Sequence, residues 1–168
     1  KHNTMVEKLL ETATLDSEAL ELNKQETNLA ELLEHITQSH QETTNGKALT
    51  FTTQDRNTSA SIDVFHLENA LDNIIANAIK YGGDTIKIAL NRTKENIQIT
   101  IEDGGNKLTK QQAQHIFDKF YRVPKGNKHD VKGFGIGLYY TKTIIEKHSG
   151  NIAVQTQPTT FKITLPYV

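Results

Sequence analysis

Apolar residues recur at helical spacing in several stretches of the chain and alternate with polar ones in others. Val6, Leu9, Leu10 and Ala13 make one stripe and predict an amphipathic helix over residues 1 to about 16, too short to stand alone in water. An extended stretch around Ala19–Leu22 follows. Asn28 with Glu31 three positions on reads as a capping box opening a helix with Leu29, Leu32, Leu33 and Ile36 on one face, ending near His40. The polar run 41–47, with Gly46, is a turn into an alternating strand at 48–52. Asp63 caps a long helix from Val64 to Tyr81, whose Leu67, Leu71, Ile74, Ile75 and Ala78 recur at three and four, and Gly82-Gly83 stops it.

Beyond that helix the period changes to two. Thr85–Leu90 and Ile97–Ile101 read as a hairpin, and Ile152–Thr156 and Phe161–Leu165 as a closing strand pair. Between them Thr109 and Gln112 form a second capping box leading into Ile116, Phe117 and Phe120. A polar loop follows from Val123 to Lys132, and a helix runs from Gly137 to about His148. This order predicts an α+β fold, a two-layer sandwich whose mixed, mainly antiparallel sheet is covered by helices on one face. No internal repeat is present.

Composition narrows the classes. The 168 residues suit one domain with an appended helix, and 36% hydrophobic residues suffice for a core. Nineteen Lys and Arg against twenty acids leave a net charge of −1, so bulk charge recruits neither nucleic acid nor an anionic membrane. With no cysteine there is no disulfide framework, thiolate metal site or cysteine nucleophile. The start at Lys1 without Met suggests a piece of a longer chain, and it carries no signal-peptide pattern.

Seven of the ten glycines fall in three clusters, at 82 and 83, at 104 and 105, and at 133, 135 and 137. The last cluster directly precedes a helix, where small residues let backbone N–H groups approach a phosphate, although the spacing is neither the dinucleotide fingerprint nor a P-loop. Asn73 and Asn77 lie on one face of an otherwise apolar helix, a poor use of a poor helix former. They read either as satisfied buried amides or as neutral oxygens offered to a hard cation such as Mg²⁺ beside phosphate. Lys80 could then meet phosphate, Tyr81 could lie against a base, and the Asp103 carboxylate could accept from an exocyclic amine.

Five runs taken in order carry a resemblance: Asn73-Ile-Ile-Ala-Asn77-Ala-Ile-Lys80-Tyr81, Asp103-Gly-Gly105, Ile116–Arg122, Gly133-Phe-Gly135-Ile-Gly137-Leu138 and Thr159–Pro166. Over residues 17–168 the chain resembles the catalytic and ATP-binding domain of sensor histidine kinases, with residues 1–16 as the end of the dimerisation hairpin's second helix. The resemblance implies the Bergerat sandwich shared with gyrase-type ATPases and Hsp90. Its cofactors would be ATP and Mg²⁺, with Asn77 as the metal ligand and Asn73 beside it. Lys80 and Tyr81 would contact phosphate and the surroundings of adenine, Asp103 the adenine amino group, and Arg122 phosphate. Asn73, Lys80 and Arg122 would serve catalysis. Gly105, Gly133, Gly135, Gly137 and Leu138 would complete the ATP site, the three glycines 133, 135 and 137 bounding a flexible lid.

The implied activity moves the γ-phosphoryl of ATP to a histidine on the dimerisation hairpin, for relay to a response regulator. The implied setting is a cytoplasmic domain of a membrane-anchored, homodimeric parent. A phosphoacceptor box is absent from the chain, so the donor half alone is expected here. Two departures stand out: Lys107 replaces the second glycine of Asp-x-Gly-x-Gly, and Gln157-Pro158 stands where a glycine is usual. They leave room for a domain that no longer binds ATP. Hydrolysis of the gyrase or Hsp90 kind is disfavoured, because the place of their water-activating Glu is held by Asn73, which cannot act as a base.

Overall fold

The computed structural model describes residues 20–106, 108–121 and 137–167. The predicted helix at 1–16, Lys107, Arg122, Gly133, Gly135 and the polar loop at 123–132 lie outside these residues. Strands β1 (Gln25–Asn28), β2 (Ala48–Thr53), β3 (Ser59–Ile62), β4 (Thr85–Arg92), β5 (Asn96–Glu102), β6 (Asn151–Gln155) and β7 (Thr160–Pro166) alternate with helices α1 (Leu29–His40), α2 (Val64–Tyr81), α3 (Lys110–Ala113) and α4 (Gly137–Lys147).

Five strands form one sheet in the order β2-β4-β5-β7-β6. Only β2 and β4 run parallel; the other pairs are antiparallel. Strict alternation sends Ile86, Ile88, Leu90, Ile97, Ile99, Ile101, Phe161, Ile163 and Leu165 to a single buried face. There they share one core with Leu29, Leu33 and Ile36 of α1 and Leu67, Leu71, Ile74 and Ile75 of α2. The opposite face carries Lys87 opposite Glu102 and Thr100 opposite Lys162. This is the predicted helix-covered sandwich. Among the described residues no helix is long and apolar enough to cross a membrane.

Two local expectations are corrected, and one strand is added. Strand β1 at 25–28 was not foreseen; it pairs antiparallel with β3, a strand with too little alternation to be foreseen, and of the extended stretch expected around 19–22, Ala19 lies outside the described residues. At Asn28 only half of the capping box exists: Oδ1 accepts from the Glu31 N–H at 3.0 Å, while Nδ2 donates to Arg56 O at 2.9 Å. The box at Thr109 and Gln112 is complete, yet α3 lasts one turn. Turns carry the chain on to Ile116 in the core, Phe117 edge-on to Phe161 and an exposed Phe120 at φ 66°. Gly82 stops α2 as expected, with extended backbone at φ −82°, ψ −171° rather than the left-handed cap common at helix ends.

The first turn of α2 is pinned by a buried polar cluster. Asp63 caps the helix by accepting from the His66 N–H at 3.0 Å, and its other oxygen accepts from the Asn23 N–H at 2.8 Å. The Asp63 N–H donates to Nε2 of buried His148 at 3.0 Å, so the ring proton sits on Nδ1 and donates to Ile144 O at 2.8 Å. Burial would raise the Asp63 carboxyl, but the His66 and Asn23 amides and the nearby imidazoles outweigh it and hold the pKa below the usual range. Burial, helped by the Lys24 and His66 charges and opposed by the Ile144 carbonyl and Asp63, pushes His148 below its ordinary 6.5.

A histidine depressed in the folded state takes up its proton preferentially on unfolding. Stability is therefore full above about pH 6.5 and falls as the pH drops through the window between that value and the lower folded pKa. The unfolding midpoint is expected to drop between about pH 7.5 and pH 5, and His148→Gln to flatten that slope. A wild-type midpoint level across the window contradicts it.

Candidate functional site

The C-terminal half of α2, the turn after β5 and the start of α4 converge. Helical spacing puts Asn73 and Asn77 on one face of α2, both half-buried. Asn73 Nδ2 donates to Gly137 O at 3.1 Å and so ties the first residue of α4 to α2. The buried Thr141 hydroxyl reinforces that junction, lying 3.0 Å from both Ala70 O and Gly137 O and donating to one at a time. The Asn77 amide makes no hydrogen bond among the described residues, nor does the exposed Lys80 ammonium one turn on. Tyr81 ends the helix 41% exposed, and Leu138 is half-buried in the first turn of α4.

Asp103 follows β5 and is 7% exposed. Its Oδ1 accepts from the Gly105 N–H at 2.7 Å, whereas Oδ2 has no hydrogen-bond donor among the described residues. Burial pushes the carboxyl above the usual aspartate range, against the pull of the Gly105 amide and the Lys47 ammonium. Two backbone bonds flank it: Asp103 N–H to Thr159 O at 2.9 Å and Thr159 N–H to Gly105 O at 2.8 Å. A third, from the Gly83 N–H to Asp103 O at 2.7 Å, joins the turn to the end of α2. The glycines make this approach possible. A Cβ on Gly82 would stand 2.7 Å from Asp103 O, and Gly104 sits at φ +72°.

These donors suit a nucleotide with its cation. A buried carboxylate oxygen without a partner is costly unless something polar meets it, which an exocyclic amine would do. A half-buried neutral amide oxygen suits Mg²⁺, which draws its remaining ligands from water and phosphate. Among the described residues no cluster of three or more His, Asp or Glu side chains offers a competing metal site.

Comparison with known proteins gives the family. Residues 62–168 match the family described as histidine kinase-, DNA gyrase B- and HSP90-like ATPases. The chain belongs to this ATPase family. It is 36% identical to the sensor protein RprX of Bacteroides fragilis over 96% of this chain and 33% of that protein. The sensor protein SrrB of Staphylococcus aureus is 32% identical over 98% of this chain and 29% of its own length. The chain thus spans about a third of these curated relatives. Among solved structures, the histidine kinase AdeS of Acinetobacter baumannii superposes with a TM-score of 0.78 at 22% identity, over 97% of this chain and 77% of that one. Full-length ShkA in complex with AMPPNP gives 0.85 at 18% identity, over 97% and 35%. At such identities the likeness is one of fold.

Within the ATPase family frame, the structure brings Asn73, Asn77, Lys80, Tyr81, Asp103, Gly105, Gly137 and Leu138 onto three adjoining elements. Arg122, Gly133 and Gly135 lie outside the described residues. The missing glycine near residue 157 has a visible counterpart: Gln157 itself takes φ 58°, and Thr159 still bonds to both sides of the Asp103 turn. Sequence reasoning missed Lys47, whose Nζ donates to Ile79 O at 2.6 Å and Gly82 O at 3.0 Å. A lysine in a polar turn gives no signal that its partners lie more than thirty residues away.

Proposed function

We propose that this chain is the ATP-binding catalytic part of a sensor histidine kinase, transferring the γ-phosphoryl of ATP to a histidine on a dimerisation hairpin, from which it passes to a response regulator. The observation that carries the reading is a buried Asp103 oxygen and an Asn77 amide, both without hydrogen-bond partners among the described residues, across one glycine-lined junction. Such a pair reads a base at one end and serves a phosphate-bound cation at the other. The match of residues 62–168 to histidine kinase-, DNA gyrase B- and HSP90-like ATPases, and the relatives named as sensor proteins, support this reaction class.

In this reading Asp103 selects adenine by accepting from its amino group, its ionised form supported by the Gly105 N–H and Lys47. Tyr81 flanks the base. Mg²⁺, held by Asn77 and phosphate oxygens, would neutralise charge on the transferring group. Lys80 adds a second positive charge, and Asn73 fixes the start of α4 so that its N-terminal amides stay aimed at phosphate. Arg122, Gly133 and Gly135, outside the described residues, would also serve phosphate in this reading. Catalysis is then positioning and charge stabilisation, with the proton acceptor for the attacking imidazole supplied by the hairpin. Asn73 offers no base for water, which favours transfer over hydrolysis.

Two measurements test this. Asp103→Asn is expected to weaken ATP about a hundredfold and GTP little, because the amide can present a donor where the adenine amine also donates; equal losses would remove Asp103 from base reading. With γ-labelled ATP, Mg²⁺ and a separately supplied hairpin, acid-labile, base-stable label is expected on the hairpin histidine. ATP binding without any such transfer would overturn the kinase assignment.

A further inference from the structure

We propose that Lys47 is a positioning residue for the base end of the nucleotide site, holding the exit of α2 in the place from which Gly82 and Gly83 fix the Asp103 turn. The inference rests on the reading of Asp103 given above and assigns a role to a residue outside the five sequence runs.

Helix ends leave their last carbonyls without intrahelical partners. In α2 the usual remedy is missing, because Gly82 is extended and no left-handed turn folds back. The Gly82 N–H closes on Ala78 O at 2.8 Å, and the Lys47 ammonium takes Ile79 O at 2.6 Å and Gly82 O at 3.0 Å. Those bonds are charge-assisted and lie at the negative end of the helix dipole. Lys47 is half-buried and immediately precedes β2. Its neighbour Ala48 donates its N–H to Asp84 O at 2.9 Å and pairs with Thr85. One residue pair therefore grips the segment 79–84 from both of its ends.

The grip reaches Asp103 because there is no slack between the two turns. A Cβ added to Gly82 would lie 2.8 Å from Asp103 Cβ, one on Gly83 would lie 2.8 Å from Gly104 O, and the Gly83 N–H bonds to Asp103 O at 2.7 Å. Displacing Gly82 displaces the backbone that aims the Asp103 carboxylate. The Lys47 charge also favours the ionised carboxylate that burial opposes. Geometry and charge act in the same direction.

A double-mutant cycle separates this role from general support of the fold. Lys47→Met is expected to weaken Mg-ATP about tenfold, the scale of losing charge-assisted hydrogen bonds. Combined with Asp103→Asn it should add less than a further threefold, since both act at one point; combined with Asn77→Ala, its full tenfold should persist. If Lys47→Met fails to fold, Lys47→Gln, which keeps a donor, enters the same cycle. Parent-like affinity in the Lys47 variant, or losses that add fully with Asp103→Asn, would overturn the proposal while leaving the nucleotide reading intact. A parent chain that does not bind Mg-ATP would overturn both.

Discussion

Replacing Asn77 with Ala is expected to abolish the Mg²⁺ dependence of ATP binding, with a loss of about a hundredfold in Mg-ATP affinity and little change without the cation. In the proposed site the protein would supply few ligands to this cation, so one amide oxygen would be a large share of them. The fold should not suffer. Asn77 is half-buried, makes no hydrogen bond among the described residues and sits inside α2, where Ala is the better helix former by about 0.5 kcal/mol. Calorimetry with and without Mg²⁺, alongside a thermal midpoint at or slightly above the parent's, distinguishes lost ligation from unfolding. Equal Mg-ATP affinity in variant and parent would dismiss Asn77 as the ligand.

Gly82→Ala is expected to be the most damaging single methyl in the site. Its Cβ would meet Ala78 O at 2.6 Å, Asp103 O at 2.7 Å and Asp103 Cβ at 2.8 Å, atoms of backbone or directly attached to it that cannot swing aside. Because φ is −82°, any residue could adopt the local conformation, so the cost is wholly steric. A loss of about 3 kcal/mol follows, at the upper end for overpacking, together with ATP affinity, since relief requires moving the Asp103 turn. Gly46→Ala is the matched control. It sits at φ +85° with nothing within 4 Å of a new Cβ, so it should cost about 1 kcal/mol and leave binding intact. Denaturant midpoints and nucleotide titrations on the two variants check the contrast; equal behaviour would refute it.

How much of this was legible in the sequence depends on the range of each interaction. α2 could be drawn from Val64 to Tyr81 because its cap and its apolar spacing are local, and the alternation of Ile86, Ile88 and Leu90 defines β4 within six residues. β1 had no such signal, since Gln25-Glu26-Thr27-Asn28 is polar throughout and becomes a strand only because Ser59–Ile62 lies beside it. The Asn pair was visible as polarity in the wrong place. That Asn73 spends its amide on Gly137 O, 64 residues on, could not be. Asp63 was readable as a cap, but its bond to His148 spans 85 positions and is a property of the packed domain. Glycines 82 and 83 were recognised by position as the helix stop, but the close approach to Asp103 that requires Gly82 was not legible.

The buried cluster at Asp63 sits at one end of α2 and Asn77 near the other, about 21 Å apart at 1.5 Å per residue. A rod of that length magnifies small angles. To hold Asn77 within the roughly 0.5 Å that a working site tolerates, the helix axis must stay within about 1.4° of its bearing. The three hydrogen bonds from His66, Asn23 and to His148 make one end a fixed bearing, and Lys47 restrains the other. In the proposed site the tolerance of the chemistry would thus be set in part by residues about 20 Å from it, and Asn23, which belongs to the segment leading in from the N-terminal side, is one of them.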